Sequence, residues 1–393
     1  MIHVPNMFLI GAAHRNVGKT EFACSLIKRL SSNYPVYAVK VTPVESAHGE
    51  CPRGGKGCGV CSSLDSDYCL TEEDIDASGG LAGKDTQRMK EAGAVKVLWL
   101  RVLRSRMEDG VSALLARIPK GACIVCESNT VRSVIDPGYF MIIQHPASSQ
   151  AAKNAVLKET CARVMHLADR YVAFHGDHWD ISPDSCVFDG QVWRAPLDAS
   201  IAILAGGKSS RMGENKSLLK YGQSTVLEHT IGRLGPFTDD LLIGAGSSND
   251  FSFLKLRVVK DEKPDCGPLM GILSCLEQAQ HEKVFFSACD ILDIPFDVIR
   301  LLVRESRGCD IVMPLDSEGR PEPLMAVYSR NAIAAIRKAL SAGKKKVTSI
   351  LDPDLAEEFG LVFKMVTLQD LSWYSNINTR HDYEKAVYKK EGA

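Results

Sequence analysis

The sequence predicts an α/β protein with two domains, each built on a mostly parallel sheet with helices on its faces. The chain of 393 residues is longer than one ordinary domain, and two domains of similar size are the expected division. Two apolar runs, around Phe8 and Ala202, each end in a loop that contains glycine and lysine. A segment rich in Gly, Pro, Ser and Asp separates the halves, so we place the predicted domains at residues 1–196 and 197–393.

Charge and composition limit the classes of partner. The chain has 47 Lys and Arg against 48 Asp and Glu, so no global field attracts nucleic acid or an anionic membrane. The apolar part of the N-terminus is about strand length, well below the roughly 20 residues that cross a bilayer. We therefore expect a cytoplasmic protein without nucleic-acid or membrane partners. Its 13 cysteines are then expected to be reduced, which makes a tight cysteine cluster a metal candidate.

The first loop has the order strand, loop, Gly18-Lys19-Thr20, helix, which is typical of loops that bind nucleotide phosphates. In such a site Lys19 reaches the outer phosphates and the Thr20 hydroxyl holds Mg²⁺. The usual spacing requires glycine at the position that Ala13 occupies. Either Gly11 starts a longer loop, or the loop keeps its shape and has lost tight binding.

An acidic residue ends another predicted strand of the first half. The apolar run that begins at Gly121 ends in Glu127. The carboxyl end of a buried parallel strand is where nucleotide-binding folds hold Mg²⁺ or orient the attacking water. We predict one of these roles for Glu127; the alternative is a strand-end residue that faces solvent.

Cysteines cluster in an insertion at residues 51–69. Cys58 and Cys61 form a Cys-x-x-Cys pair that can chelate one ion from a tight turn. Cys51 and Cys69 add two further soft ligands, compatible with Zn²⁺ or an iron–sulfur cluster. Because the spacing matches no standard zinc or ferredoxin pattern, a loop with incidental cysteines is the alternative.

Residues 83–94 read GKDTQRMKEAGA. This segment closely resembles the Lys-Asp-(Ser/Thr)-x-Arg … Glu-Ala-Gly-Ala segment of the MobB family, the GTP-binding adaptor proteins of molybdenum-cofactor biosynthesis. The loop lysine and the strand ends at Lys40 and Glu127 follow in the order which that family uses, and the resemblance covers roughly residues 7–131. It implies a P-loop NTPase-like parallel sheet that binds GTP, with Asp85 near the magnesium.

The second loop follows an apolar run at residues 201–204 and contains Gly206, Gly207 and several cations. Glycine lets backbone amides approach an anion, and fixed cations neutralise the charge of a polyphosphate, so the sequence predicts phosphate binding here. The predicted strands of this half are 201–205, 240–244, 257–260, 284–289, 311–314 and 324–329, and the predicted helices are 226–234, 269–280, 295–305 and 331–342.

Residues 204–216 read LAGGKSSRMGENK. They match, position for position, the Leu-Ala-Gly-Gly-x-Ser-x-Arg-Met-Gly-x-x-Lys motif of the MobA family of molybdenum-cofactor guanylyltransferases. The resemblance implies a Rossmann-like (GT-A-like) nucleotidyltransferase fold. It also implies that Leu204, Ala205, Gly206 and Gly207 contact the nucleotide and that Arg211 and Lys216 are catalytic.

Later segments resemble the same family less completely. By that resemblance Asp261 and Gly267 meet the guanosine and Asn378 touches the active site. The family reads Cys-Asp-x-Pro-Phe at its magnesium ligand, whereas this chain has two acidic residues, Asp290 and Asp293, before Pro-Phe. Either could bind the metal. We favour Asp290 because it directly follows the predicted strand.

Two other patterns predict no site. Lys344-Lys345-Lys346 is a short basic run that is typical of a solvated helix end. The remaining candidates are isolated histidines, which are more often satisfied polar residues than ligands. They are His14, His145, His175 and His178.

The two resemblances together imply an activity. The terminal phosphate of molybdopterin cofactor would attack the α-phosphate of GTP with Mg²⁺ present, which gives the guanine dinucleotide cofactor and pyrophosphate. The first domain would be a GTP-binding adaptor, and molybdoenzyme apoproteins or cofactor-insertion proteins are further expected partners. Two alternatives remain: cytidylyl transfer to the same cofactor, and a non-catalytic chaperone that inserts the cofactor into an apoenzyme.

Overall fold

The computed structural model describes residues 1–44, 64, 66–72, 85–206, 215–248, 251, 253–368, 370–371 and 379–391. The chain divides into two compact units, residues 1–195 and 196–393. No helix in the described ranges is both long enough and apolar enough to cross a bilayer.

The first unit is an α/β unit with a twisted sheet. Its helices in the described residues are α1 (Lys19–Leu30), α2 (Asp85–Glu91), α3 (Met107–Leu115), α4 (Gln150–Asn154) and α5 (Glu159–Ala162). Its strands there are β1 (Ile2–Ala12), β2 (Val36–Val44), β3 (Tyr68–Glu72), β4 (Lys96–Leu103), β5 (Cys123–Glu127), β6 (Ile135–Gln144), β7 (Arg170–Ala173), β8 (Val187–Phe188) and β9 (Trp193–Arg194).

In this described part, seven strands form one sheet in the order β3-β4-β2-β5-β1-β6-β7, and all pairs are parallel except β3 with β4. The inner strand β1 carries the fully buried run Phe8, Leu9 and Ile10, since both of its faces are covered. Helix α1 begins where Gly18 adopts a left-handed conformation (φ 66°), and it buries Phe22 and Leu26 one turn apart.

The second unit is also an α/β unit. Its helices in the described residues are α6 (Val226–Leu234), α7 (Pro268–Gln278), α8 (Phe296–Glu305), α9 (Ala332–Ser341), α10 (Pro353–Phe359) and α11 (Arg380–Glu391). Its strands there are β10 (Ser200–Leu204), β11 (Lys220–Tyr221), β12 (Ser224–Thr225), β13 (Leu241–Gly244), β14 (Arg257–Val259), β15 (Lys283–Ala288), β16 (Ile311–Leu315), β17 (Met325–Ser329) and β18 (Phe363–Thr367).

The main sheet of the second unit, as far as the structure describes it, has the order β14-β13-β10-β15-β17-β16-β18. Strand β17 is antiparallel to both of its neighbours, and the other pairs are parallel. The predicted mostly parallel α/β sheet of this half is therefore confirmed. The sequence did not predict β18, which pairs with β16 at the sheet edge. Because β10, β13, β14 and β15 run in the same direction, the loops that follow them lie along one edge.

Candidate active site

The end of β10 is held tightly against the loop after β13. The amides of Ala205 and Gly206 both donate to the Gly244 carbonyl oxygen, each over 2.9 Å. A Cβ on Gly206 would collide with the backbone of Ala245 and Gly246. Glycine is thus required here for close backbone approach. This corrects one sequence expectation: the Gly206 amide is engaged within the sheet and does not point to a phosphate.

Two charged side chains meet beside this point. Asp290 lies two residues beyond the end of β15, and Lys216 begins the short 3₁₀ turn that follows the glycine loop. The Lys216 Nζ lies 3.8 Å from the Asp290 Oδ2. Burial raises the pKa of the Asp290 carboxyl above its usual value, and the positive charge of Lys216 only partly opposes this.

The second acidic candidate lies elsewhere. The Asp293 Oδ1 is 3.4 Å from the His229 Nε2 and 4.0 Å from the Arg233 Nε, and both partners belong to α6. Its side chain is 54% exposed, against 23% for Asp290. The structure therefore groups Asp290 with Lys216 and directs Asp293 to a helix surface.

A cavity of about 610 Å³ opens along the same edge, next to the end of β10. Its lining includes Gly206, Gly246, Asp261 and Gly267. The Asp261 Oδ1 is buried and has no hydrogen-bond partner among the described residues, and burial raises the pKa of this carboxyl. A buried carboxylate oxygen without a partner is costly, so it suits a ligand that donates hydrogen bonds.

Sequence reasoning missed one neighbour of this cavity. The Lys345 Nζ donates to the Asp265 carbonyl oxygen over 2.8 Å. A Cβ on Gly267 (φ 75°) would lie 3.1 Å from the Lys345 carbonyl oxygen. The basic run is exposed, as expected, but it lies against the cavity rim. Residues 267 and 345 are far apart along the chain, so no local sequence pattern indicated this contact.

Three predicted site residues, Gly207, Arg211 and Asn378, lie outside the described residues. The residue that follows Asn378 along the chain is Thr379, which starts α11 with a reciprocal cap: its hydroxyl donates to the Asp382 carboxylate, and the Asp382 amide donates back to that hydroxyl. Tyr383 then donates to the Lys220 carbonyl oxygen, which attaches α11 to the β11–β12 hairpin.

The first unit contains a second charged cluster at the carboxyl edge of its own sheet. Glu127 ends β5, is 1% exposed, and neither of its carboxylate oxygens has a hydrogen-bond partner in the described part of the chain. The Lys19 Nζ lies 3.2 Å from the Glu127 Oε2. The solvent-facing alternative for Glu127 is therefore wrong, because the side chain is buried opposite a lysine.

The predicted partner Asp85 joins this cluster from α2. It forms an ion pair with Lys40, which lies opposite Glu127 in the pairing of β2 with β5, and it accepts a hydrogen bond from Thr20. Burial alone would raise the pKa of Asp85, but the hydrogen bond and charge of Lys40, with Thr20 and Lys19, lower it. The structure therefore brings Lys19, Thr20 and Asp85 together, with Lys40 and Glu127 beside them.

The start of the first loop is settled by the length of β1. Gly11 lies inside that strand, where a Cβ would be 2.8 Å from the Asn129 Oδ1. Asn129 binds both the amide and the carbonyl oxygen of Ala12. Gly11 therefore makes room for Asn129. The loop to Lys19 begins after Ala12, so it does not have the greater length expected of a loop that starts at Gly11.

Among the described residues, no group of three or more His, Cys, Asp and Glu could hold a metal ion. Three of the predicted cysteine ligands, Cys51, Cys58 and Cys61, lie outside the described residues. Cys69 lies in β3, where its sulfur accepts a hydrogen bond from Arg101 over 3.0 Å. The metal prediction for the 51–69 insertion stays a prediction.

Comparison with known proteins places the second unit. Residues 201–358 match the family model described as MobA-like NTP transferase domain. A probable molybdenum cofactor guanylyltransferase of Carboxydothermus hydrogenoformans is 36% identical over 188 residues, which cover 48% of this chain and 94% of that protein. A second one, of Clostridium perfringens, is 33% identical over 199 residues, with 50% and 99% covered. The solved molybdopterin-guanine dinucleotide biosynthesis protein A of Archaeoglobus fulgidus is 21% identical, with 49% and 100% covered and a TM-score of 0.42.

Proposed function

Through its C-terminal half the chain belongs to the MobA-like NTP transferase family, and on that premise we propose that it transfers GMP from GTP to molybdopterin cofactor. The observation that carries the proposal is the Lys216–Asp290 pair beside the end of β10. A cation and a partly buried carboxylate at the carboxyl edge of a parallel sheet are the groups that phosphoryl chemistry needs.

The proposed reaction is an in-line displacement. An oxygen of the terminal phosphate of molybdopterin forms a bond to the α-phosphorus of GTP, and the bond from that phosphorus to the bridging oxygen breaks, so that pyrophosphate leaves. Lys216 binds the α-phosphoryl oxygens and stabilises the negative charge that develops there. Arg211, from the glycine loop, holds the β- and γ-phosphates. The protein thus contributes positioning and charge without a covalent intermediate.

The donor set around Asp290 fits Mg²⁺. This ion prefers oxygen ligands and is usually held by one or two carboxylates together with substrate phosphates, so one partly buried carboxylate at this edge of the sheet is sufficient. We assign Asp290 to this role, since Asp293 points to α6. When bound, the ion neutralises charge on the phosphates.

The choice of GTP over CTP rests on Asp261. Guanine presents two adjacent donors, N1–H and the N2 amino group, to a carboxylate, whereas cytosine presents one amino group beside an acceptor nitrogen. The unpartnered Asp261 Oδ1 in the cavity matches the guanine edge. Cytidylyl transfer is therefore the second candidate.

We further propose that the first unit is a GTP-binding adaptor. Lys19 would bind the outer phosphates, Thr20 would hold Mg²⁺, and the buried Glu127 and Asp85 would lie next to that ion or its waters. Gly18 supports the proposal, because its left-handed conformation turns the chain into the helix N-terminus.

One experiment tests the transfer. The purified chain is incubated with GTP, Mg²⁺ and molybdopterin cofactor, and the products are identified by mass; CTP replaces GTP in a parallel reaction. We expect the guanine dinucleotide and pyrophosphate. A cytosine dinucleotide would support the second candidate. Binding of GTP and cofactor without any dinucleotide would support a cofactor-insertion chaperone and would rule out transfer.

A further inference from the structure

Two histidines that look isolated in the sequence lie face to face beside the loop between β1 and α1. The ring centroids of His14 and His145 are 5.3 Å apart, and the ring planes differ by 19°. They meet because β1 and β6 are parallel neighbours, with Ala12 paired to Ile143. Each histidine lies two residues beyond its member of that pair, at the carboxyl edge of the sheet.

The surroundings of this pair are cationic. The Lys158 amide donates to the Ala13 carbonyl oxygen over 2.9 Å, which brings Lys158 to the same loop. Burial lowers the pKa of His14, and the charges of His145 and Lys158 lower it further. The His14 Nδ1 is buried and has no hydrogen-bond partner in the described ranges. A neutral His14 thus lies among groups that repel a further positive charge.

The charged groups that follow the neighbouring strands β5 and β7 lie opposite partners of their own. Glu127, at the end of β5, lies opposite Lys19. Beyond β7, the Asp177 Oδ1 is 2.7 Å from the His178 Nδ1, and the rings of His175 and His178 stack at 4.9 Å. Within the described residues, neither ring of the pair has a carboxylate partner that would offset the positive charge.

We propose that His14 and His145 form a proton-coupled anion site of this loop, in which one of the two imidazoles takes up a proton when the phosphates of a nucleoside triphosphate bind. The inference rests on the proposed nucleotide site at Lys19. The phosphate oxygens supply the negative charge that is missing around the two histidines. The imidazole that takes up a proton from solvent then donates a hydrogen bond through that N–H to a phosphate oxygen. Because proton uptake and nucleotide binding are thermodynamically linked, the affinity for the nucleotide must rise as the pH falls. The size of this effect is set by the number of protons taken up on binding.

Isothermal titration calorimetry tests this with the full chain carrying Lys216→Ala and Asp261→Ala, so that the first unit provides the site being measured. Mg²⁺ and GTP are titrated in buffers of different ionisation enthalpy, which reports the protons taken up. We expect net proton uptake, and tighter binding near pH 6 than near pH 8. His14→Gln and His145→Gln, which keep a hydrogen-bonding side chain that does not titrate, should reduce the uptake and retain binding near pH 8.

The outcomes separate this inference from the proposed site. Binding without proton uptake, or uptake that stays unchanged in both glutamine variants, would overturn the histidine site alone. An absence of GTP binding in the parent chain would overturn the proposed site at Lys19 and this inference with it. Lys19→Ala in the same double variant measures the heat and proton uptake that remain without binding at this loop. Circular dichroism confirms that each variant is folded.

Discussion

The Lys216 Nζ lies 3.8 Å from the Asp290 Oδ2, so that the cation and the carboxylate of the second unit are already adjacent in the protein alone. Asp290 lies two residues beyond the end of β15, and Lys216 follows the loop that leaves the end of β10. The Cys289 amide donates to the Leu204 carbonyl oxygen over 3.1 Å, which fixes these two ends to each other. This backbone contact holds the end of β15, and with it the chain that leads to Asp290, beside the end of β10.

Lys216→Ala should lower kcat by about 100-fold or more, because it removes a cation that acts on the developing charge of the transition state. Asp290→Asn should have an effect of similar size, since the amide is a weak ligand for Mg²⁺. The measurement is pyrophosphate release with molybdopterin cofactor as acceptor.

The matched control for these variants is Asp293→Asn. This residue belongs to the same loop but contacts His229 and Arg233. Turnover within about 3-fold of wild type is expected, in line with a surface ion pair of small energetic value. If Asp293→Asn abolished turnover and Asp290→Asn did not, the assignment of the two carboxylates would have to be exchanged.

Asp290→Asn should also raise stability at neutral pH. Burial raises the pKa of Asp290 in the folded protein above the ordinary value of an aspartate side chain, 3.8, so the folded state holds this proton more tightly than the unfolded chain does. Wild-type stability therefore falls as pH rises from 3.8 through the folded pKa, and asparagine removes that loss. The Tm of the variant should exceed that of wild type at neutral pH. A Tm difference that is equally large in acid would contradict this account.

Asp261→Asn should weaken the preference for GTP over CTP. The asparagine side chain presents a donor in place of one acceptor, so that guanine loses a hydrogen bond and meets a repelling group. The ratio of kcat/KM for the two nucleotides should fall by on the order of 10-fold or more. An unchanged ratio would mean that another group reads the base. The control is Asp265→Asn, a change at the same cavity rim. Lys345 binds the backbone carbonyl oxygen of this residue, which the substitution keeps.

Gly206→Ala should destabilise the second unit by about 1–3 kcal/mol, because the new Cβ meets the backbone of Ala245 and Gly246 and no flexible side chain can move aside. Gly232→Ala is the opposite case. That position lies in α6 with nothing within 4 Å of an added Cβ, so alanine should stabilise by about 0.5–1 kcal/mol. Urea unfolding measures the change in unfolding free energy for both variants. Equal changes would show that crowding at Gly206 is not the cause of the destabilisation.

The sequence predicted the elements of the second unit well, because apolar runs end in recognisable glycines and caps. The predicted helix 226–234 has the bounds of α6, which begins with a Thr225–Glu228 capping box. The predicted strand 284–289 differs from β15 by one residue at each end. In the first unit, Lys19 and Glu127 were predicted from the loop and the strand end, whereas a place for Asp85 near them was implied only by the resemblance of residues 83–94 to the MobB family.

What the sequence could not predict depends on which strands become neighbours. His14 and His145 are far apart along the chain, and only the sheet order that places β6 beside β1 brings their rings together. The contact of Lys345 with the chain at Gly267 likewise joins two segments that are far apart along the chain, the start of α7 and the turn after α9. No local pattern of residues contains either piece of information.

The position of β15 has a consequence for the timescales of motion in this protein. Its backbone is hydrogen-bonded to β10 on one edge and to β17 on the other, and Phe285 and Phe286 are fully buried. The amide hydrogens of this strand should exchange with deuterium only through global unfolding. Asp290 lies two residues beyond that strand, and the Cys289 amide between them is bound to Leu204. The surrounding loops can therefore fluctuate quickly while the carboxylate keeps a fixed position for as long as the domain stays folded.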